Sequence, residues 1–306
     1  MVLALPNLQR DMPLAPYTTY KIGGPADYFV IASNRDELAN AVLTARKDGM
    51  PYFILGTGAN ILMSDAGFRG LVILNRANQI HWQDTTVEAE SGAVMADLIE
   101  QTAARGLSGL EHYAGIPSTV GGALWQNLHF LSPDRQSTVY LGDILLSAQV
   151  LLPDAGIQTV DREFFRFGYD QSRLRLEKGI VVLAATFALT PKPEDEIRRQ
   201  IEANLVWRAE KHPDLTRFPS CGSVFKKIEG VGAGRLIEKV GLKGYRIGNA
   251  QISEQHANFI VNRGGATAAD VLALIELIQK KVKEETGYRL EPEIRLVGEN
   301  LKEVAE

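Results

Sequence analysis

Two periodicities divide the chain. Helical spacing appears at residues 35–48, where Leu38, Val42 and Ala45 share one face, Asn34 or Ser33 can cap the start and Gly49 the end. The same spacing predicts helices at 93–105, stopped by Gly106, at 194–211 (Ile197, Ile201, Leu205, Trp207) and at 233–240. The clearest helix is 268–286, with Val271, Leu272, Ile275, Ile278 and Val282 in one stripe and lysines and glutamates opposite, a pattern of core packing. Short apolar or alternating runs predict strands at 26–30, 51–55, 70–74, 86–91, 147–152, 180–189, 247–253 and 258–261. Residues 1–16 read as an arm on the body, 128–143 as irregular, and Pro191-Lys192-Pro193 as a domain boundary, after which helix dominates.

Two stretches fit neither period. One is 115–123, Gly-Ile-Pro-Ser-Thr-Val-Gly-Gly-Ala, and the other is 54–62, Ile-Leu-Gly-Thr-Gly-Ala-Asn-Ile-Leu. Glycine lacks a Cβ, so the N–H groups of such loops can approach an anion closely. Two of them suggest a ligand with more than one phosphate; a pair of tight turns is the other reading. In 219–227, Pro-Ser-Cys-Gly-Ser-Val-Phe-Lys-Lys, Ser223 reads either as a turn serine, which this stretch alone favours, or as a hydroxyl in a dry site beside cations. Alternation at 290–296 puts Glu291, Glu293 and Arg295 on one strand face, and leaves Glu293 open between a surface edge and a carboxyl aimed into a site.

Composition narrows the classes. The 306 residues are 45% hydrophobic and 23% charged, an ordinary globular mixture, and a net charge of -4 advertises no surface for nucleic acid or anionic membrane. The single cysteine, Cys221, excludes an intramolecular disulfide and fits a reducing compartment; with no histidine at telling spacing it reads as a buried, inert thiol. The five histidines have no ligand spacing, so a zinc site is not expected. No leader or membrane span is expected either, and the chain reads as cytoplasmic.

Taken together the motifs resemble the UDP-N-acetylenolpyruvoylglucosamine reductase (MurB) family, in its shorter variety. The matching stretches are 18–26, 54–62, 106–111, 115–127, 167–169 with Ser172, 220–226, 233–237 with 241–244, 256–262 and 291–295, in family order over nearly the whole chain. The resemblance implies an α+β chain. Its FAD-binding half would be of the vanillyl-alcohol-oxidase (PCMH) type, with two α/β subdomains at 1–76 and 77–192, and its C-terminal α+β substrate domain would span 193–306. The glycine stretches would hold FAD through Gly56, Thr57, Gly58, Ala59, Asn60 and Ile61, and through Gly115, Ile116, Pro117, Ser118, Thr119, Gly121, Gly122 and Asn127. NADPH would reduce FAD, and the flavin would then reduce the enolpyruvyl ether of a UDP-sugar to UDP-N-acetylmuramate, a step of cell-wall peptidoglycan synthesis. Ser223 matches the family's general acid and Glu293 the carboxyl group assisting it, with Lys226 and Lys243 as cations for the serine alkoxide. Tyr169, Arg173, Lys211, Lys226 and Asn258 are the implied substrate contacts. No protein, membrane or nucleic-acid partner is expected.

This chain departs from the family on the implied substrate side. The family's Phe-Gly-Tyr-Arg reads Phe167-Gly168-Tyr169-Asp170, which reverses a charge, and Arg173 is the nearby replacement. The family's Ala-Gly-Ala-Tyr-Gly after Asn127 reads Leu128-His129-Phe130-Leu131-Ser132. A flavoenzyme of the same fold with another substrate, and a non-catalytic paralogue binding flavin or a UDP-sugar, are the alternatives.

Overall fold

Asn34 does cap the first helix: its side chain accepts the N–H of Glu37, and α1 runs over Arg35–Lys47. The computed structural model describes residues 4–228 and 230–299, so the first residues of the expected arm and the last of the expected C-terminal domain lie outside the described ones. Helices and mostly antiparallel strands make an α+β fold. The chain divides into two compact units, each assembled from separate stretches. This division by compactness is drawn differently from the functional one at 76 and 192. Among the described residues, no helix is long and apolar enough to cross a membrane.

The first unit contains Val30–Gly56 and Ile73–Arg208. Its sheet has five antiparallel strands in the order Gly156–Asp161, Leu145–Leu152, Val181–Ala188, Thr86–Glu90, Ile80–Gln83. The register Phe187↔Val87 and Ala185↔Ala89 stacks apolar side chains on one face. The core includes those residues, Leu98 and Ile99 of α2 (Met95–Ala103), Val120 and Leu124 of α3 (Val120–Gln126), and Ile197 and Ile201 of α5 (Glu194–Lys211, which belongs here up to Arg208). The single-turn helix α4 covers Arg173–Leu176.

Several expectations for this unit are corrected. The segment 128–143 is not irregular throughout: His129–Leu131 and Thr138–Tyr140 form a small hairpin, with strands too short to show alternation. The strand Gly156–Asp161 is mostly exposed and polar, so it carried no apolar signal. Ile80–Gln83 does alternate, with its apolar residues half-buried. The second half of the Gly115 stretch is helix α3, capped by Thr119.

The second unit contains Leu8–Phe29, Thr57–Val72 and the chain from Ala209 onward. The expected N-terminal arm is here a strand, Gln9–Pro13, paired antiparallel with the start of Pro25–Ala32. The expected strand over 247–253 is a hairpin of Arg246–Ile247 and Ala250–Ile252, turned at Gly248-Asn249, with Ile260–Asn262 as a third strand. The expected alternating strand at 290–296 is also corrected. Only Arg295–Val297 is a strand, and it pairs in parallel with Ile61–Met63. The helix α6 spans Ala233–Lys239, and α7 spans Ala268–Thr286 as its stripe predicts, with Leu274 joining the buried face and Leu272 at its edge. A capping box of Thr267 and Asp270 starts α7, and Asp65 accepts the N–H groups of Ala268 and Ala269, so a carboxylate stands on its positive end.

Candidate active site

In the second unit, three chain segments converge on Ser223. Ser223 bridges to Phe259 on one side, and Phe225 bridges to Pro292 on the other. The N–H of Val224 donates to Asn258 O (2.8 Å), and Glu293 N–H donates to Val224 O (2.8 Å). Asn258 clamps Phe225 from both ends, accepting its N–H at Oδ1 (3.0 Å) and donating Nδ2 to its carbonyl (2.9 Å). Val224 and Phe225 are buried, and Ser223 and Glu293 are half-buried. Gly222 has φ +90°, a left-handed backbone that glycine adopts without strain, and it turns the chain into this segment. Two residues far apart in sequence, Ser223 and Glu293, therefore sit on paired backbone segments, and the Asn258 side chain is committed to holding that arrangement.

The expected cations are accounted for differently. Lys226 forms an ion pair with Glu291, and Lys243 Nζ pairs with Glu238 (2.9 Å), so each ammonium group already has a carboxylate partner. Lys211 is exposed at the end of α5. Cys221 is buried, and burial pushes its thiol well above the ordinary range. The fold also brings together two histidines that sequence spacing kept apart. His212 and His256 have ring centroids 5.6 Å apart, and both pack on Phe259. Burial lowers His256 below its ordinary value, and its Nδ1 accepts the N–H of Asn258 (3.1 Å), a bond only the ring without a proton there can make.

Of the first glycine stretch, Gly56 belongs to the first unit and meets the second stretch there: a Cβ on Gly56 would lie 2.7 Å from Thr119 Oγ1. In the second unit Gly58 O accepts the N–H and Oγ1 of Thr19, Asn60 O accepts the N–H of Arg295, and Ile61 starts a strand. Among the described residues, the N–H groups of Thr57, Gly58 and Ala59 meet no protein acceptor. Three successive amides in that condition suit an anionic group.

In the second stretch the amides are more committed. Ile116 N–H donates to Tyr113 O, Gly121 N–H to Ser91 O and Gly122 N–H to Thr119 Oγ1. Gly115 (φ +80°) packs on α5, and Pro117 and Ser118 lead to the Thr119 cap. Asn127 is buried, with Oδ1 accepting Gly142 N–H (3.1 Å) and Nδ2 donating to Gly168 O (3.0 Å), so its side chain holds the backbone.

Asp170 and His129, residues of the two departures noted in the sequence, come together in the first unit. Asp170 is buried at φ +49°, and its Oδ1 accepts Gln126 Nε2 (3.0 Å) and lies 3.6 Å from His129 Nδ1. The His129 ring packs between Tyr169 (4.7 Å) and Tyr140 (5.6 Å), and Tyr169 is 45% exposed. Arg173 does not meet Asp170 side chain to side chain. It is held by Glu177 (2.7 Å) and lies over the Phe164 ring. The guanidinium at Asp170 is that of Arg175, which donates to its backbone O (2.6 Å) and stacks over Trp125. Sequence reasoning passed over Arg175; the signal was its place on the opposite side of the Arg173-Leu174-Arg175 turn from Glu177.

A model of the UDP-N-acetylenolpyruvoylglucosamine reductase C-terminal domain matches residues 213–297, which include Ser223 and Glu293. An FAD binding domain model matches residues 26–161, which include both glycine stretches. A UDP-N-acetylenolpyruvoylglucosamine reductase of Streptococcus pyogenes serotype M18 is 38% identical over 96% of this chain and 97% of its own length. One from Latilactobacillus sakei is 40% identical over 95% of this chain and 94% of its own. The crystal structure of the Thermus caldophilus reductase superposes with a TM-score of 0.77 at 33% identity, covering 95% of this chain and 98% of that one. The FAD binding domain model thus falls in the half of the chain where the motifs imply the cofactor. Matched along almost its full length by reductases that are themselves matched along theirs, this chain belongs to the UDP-N-acetylenolpyruvoylglucosamine reductase (MurB) family.

Proposed function

We propose that the protein is an FAD-dependent, NADPH-consuming oxidoreductase that reduces UDP-N-acetylenolpyruvoylglucosamine to UDP-N-acetylmuramate for peptidoglycan synthesis. The observation that carries this reading is the near-complete match to reductases of that name, together with the joining of Ser223 and Glu293 on paired backbone segments. We place the enzyme in the cytoplasm, with residues 1–76 and 77–192 carrying the cofactor and 193–306 the UDP-sugar.

The unaccepted amides of Thr57, Gly58 and Ala59 fit a pyrophosphate, so those residues, Gly56, Asn60 and Ile61, and the stretch from Gly115 through Gly122 to Asn127 would hold FAD. FAD supplies hydride taken from NADPH. The protein's part is the proton. Reduction of the enolpyruvyl double bond adds one hydride and one proton, and Ser223 Oγ gives the proton to the carbon that does not receive hydride. A serine hydroxyl is a weak acid, so the alkoxide it leaves must be stabilised by neighbouring dipoles and cations; Lys226 is the nearest in sequence. Glu293 assists on the same carbon, and Asn258 keeps the two segments in register. Tyr169, Lys211 and Lys226 are proposed substrate contacts.

Two arginines are candidates for the substrate's carboxylate. Arg173 must leave Glu177 to reach it, whereas Arg175 has no carboxylate partner among the described residues. Substituting alanine for Arg175 is expected to raise KM for the enolpyruvyl sugar by about 10–100-fold, the value of a charge-assisted hydrogen bond, and Arg173→Ala by less. Steady-state kinetics on both variants decide the order; the reverse order assigns the contact to Arg173.

An anaerobic absorption experiment tests the whole reading. The oxidised-flavin band is expected to bleach with NADPH and to return when the enolpyruvyl sugar is added. Bleaching without return would replace the substrate assignment, and no flavin band after incubation with FAD would remove the enzyme reading.

A further inference from the structure

We propose that Arg208 and Arg135 form an anion-binding pair beside Gly115 that takes a phosphate group of a bound nucleotide. Arg208 is half-buried, and the partial loss of water lowers its guanidinium to about 10. It stays charged at neutral pH, yet among the described residues no carboxylate pairs with it. A guanidinium taken partly out of water without a partner is costly unless an anion completes it. Packing brings the loop close to it: a Cβ on Gly115 (φ +80°) would come 2.9 Å from Leu205 Cδ2, 3.0 Å from Arg208 Cδ and 3.1 Å from Nε, so a larger residue there would crowd this side chain.

Arg135 repeats the situation. Its Nη2 donates to Asn204 Oδ1 (3.1 Å), while its buried Nη1 has no hydrogen-bond partner. Asn204 is itself fully buried and anchored by its Nδ2 to the Glu111 and His112 carbonyls, so it fixes the Arg135 fork in place. Both guanidinium groups lie on the Phe130 ring, at 5.5 Å for Arg135 and 5.8 Å for Arg208, and Arg135 also covers Trp207 at 5.2 Å. Arg135 holds φ +62°, an uncommon conformation for a non-glycine residue. Stacked, rigid forks with unpartnered N–H groups are the chemistry that recognises phosphate.

The inference rests on the proposed flavoenzyme reading for its ligand, a nucleotide phosphate borne by FAD or by NADPH. The test uses the full-length protein and its Arg208→Ala, Arg208→Lys and Arg135→Ala variants. Dissociation constants for FAD and riboflavin come from flavin fluorescence, and the NADPH/NADH preference from the rate of flavin bleaching. If FAD is the source, Arg208→Ala weakens FAD about tenfold or more and leaves riboflavin, which lacks phosphate, unchanged. If NADPH is the source, FAD binding holds and the NADPH/NADH preference falls by a similar factor. In either case Arg135→Ala moves the same quantity less, and Arg208→Lys, which keeps the stem packed, recovers part of it. Inorganic pyrophosphate should also raise the melting temperature of the wild type but not of Arg208→Ala. That result stands even if the wild type binds no flavin, in which case the flavoenzyme reading fails and the anion site survives. Equal weakening of FAD and riboflavin, or no change in any of the three measurements, overturns the proposal.

Discussion

Ser223→Ala is expected to leave flavin reduction by NADPH at its wild-type rate and to slow flavin reoxidation by the enolpyruvyl sugar by about 10²–10⁴-fold, the usual contribution of a positioned proton donor. The two half-reactions separate chemistry from folding. The backbone around Ser223 is fixed by buried Val224 and Phe225, by the Asn258 clamp and by the Glu293 N–H, none of which uses the serine hydroxyl. An alanine fits this segment, so cofactor binding and the first half-reaction should survive. Stopped-flow absorption at the flavin band measures each half separately. Equal slowing of both would take Ser223 out of proton transfer and make it a structural residue.

Glu90→Ala is expected to destabilise the protein by about 3–5 kcal/mol, the cost of removing one partner of a buried ion pair. Glu90 is 1% exposed and accepts the N–H and Nε of Arg35 (3.2 and 3.0 Å) and the N–H of Gln79 (3.1 Å). Without it, two amides and the Arg35 Nε lose their acceptor together. Glu88 also pairs with Arg35 (2.6 Å), but its side chain is 37% exposed against 1% for Glu90, so Glu88→Ala should cost clearly less. Urea denaturation of the two variants gives the comparison. Equal losses would mean that the buried partner is not what holds α1 to this sheet.

Elements with a full period and a cap were legible from the sequence. Helices α1 and α7 appear with their bounds nearly as spaced, because each carries both an apolar stripe and a capping side chain. What escaped was structure without such a signature. The edge strand Gly156–Asp161 is mostly exposed, and the strands of the hairpin at 129–140 are three residues long. At the site, Ser223 and Glu293 were found as motif residues, but their shared backbone pairing is a long-range fact that no spacing encodes. The same holds for the contact of His129 with Asp170, two departures that look unrelated on paper. Arg175 and Arg208 were passed over because an arginine's value depends on which carboxylates are absent around it, and that is visible only in three dimensions.

The parallel pair of Ile61–Met63 with Arg295–Val297 sets a schedule for biosynthesis. The second unit also joins Tyr20 OH to Ile260 O across 240 residues of sequence and Ser64 Oγ to Glu299 O across 235. Every piece of the first unit has left the ribosome once Arg208 is out, so that unit can close during translation. The early strand Ile61–Met63 of the second unit, with buried Leu62 and Met63, must wait for Arg295–Val297. At bacterial elongation speeds that delay is roughly 10–50 s. During it that apolar strand lacks its late partner. Stalled chains that end before Arg295 should accordingly yield a protease-resistant first unit and a digestible second one.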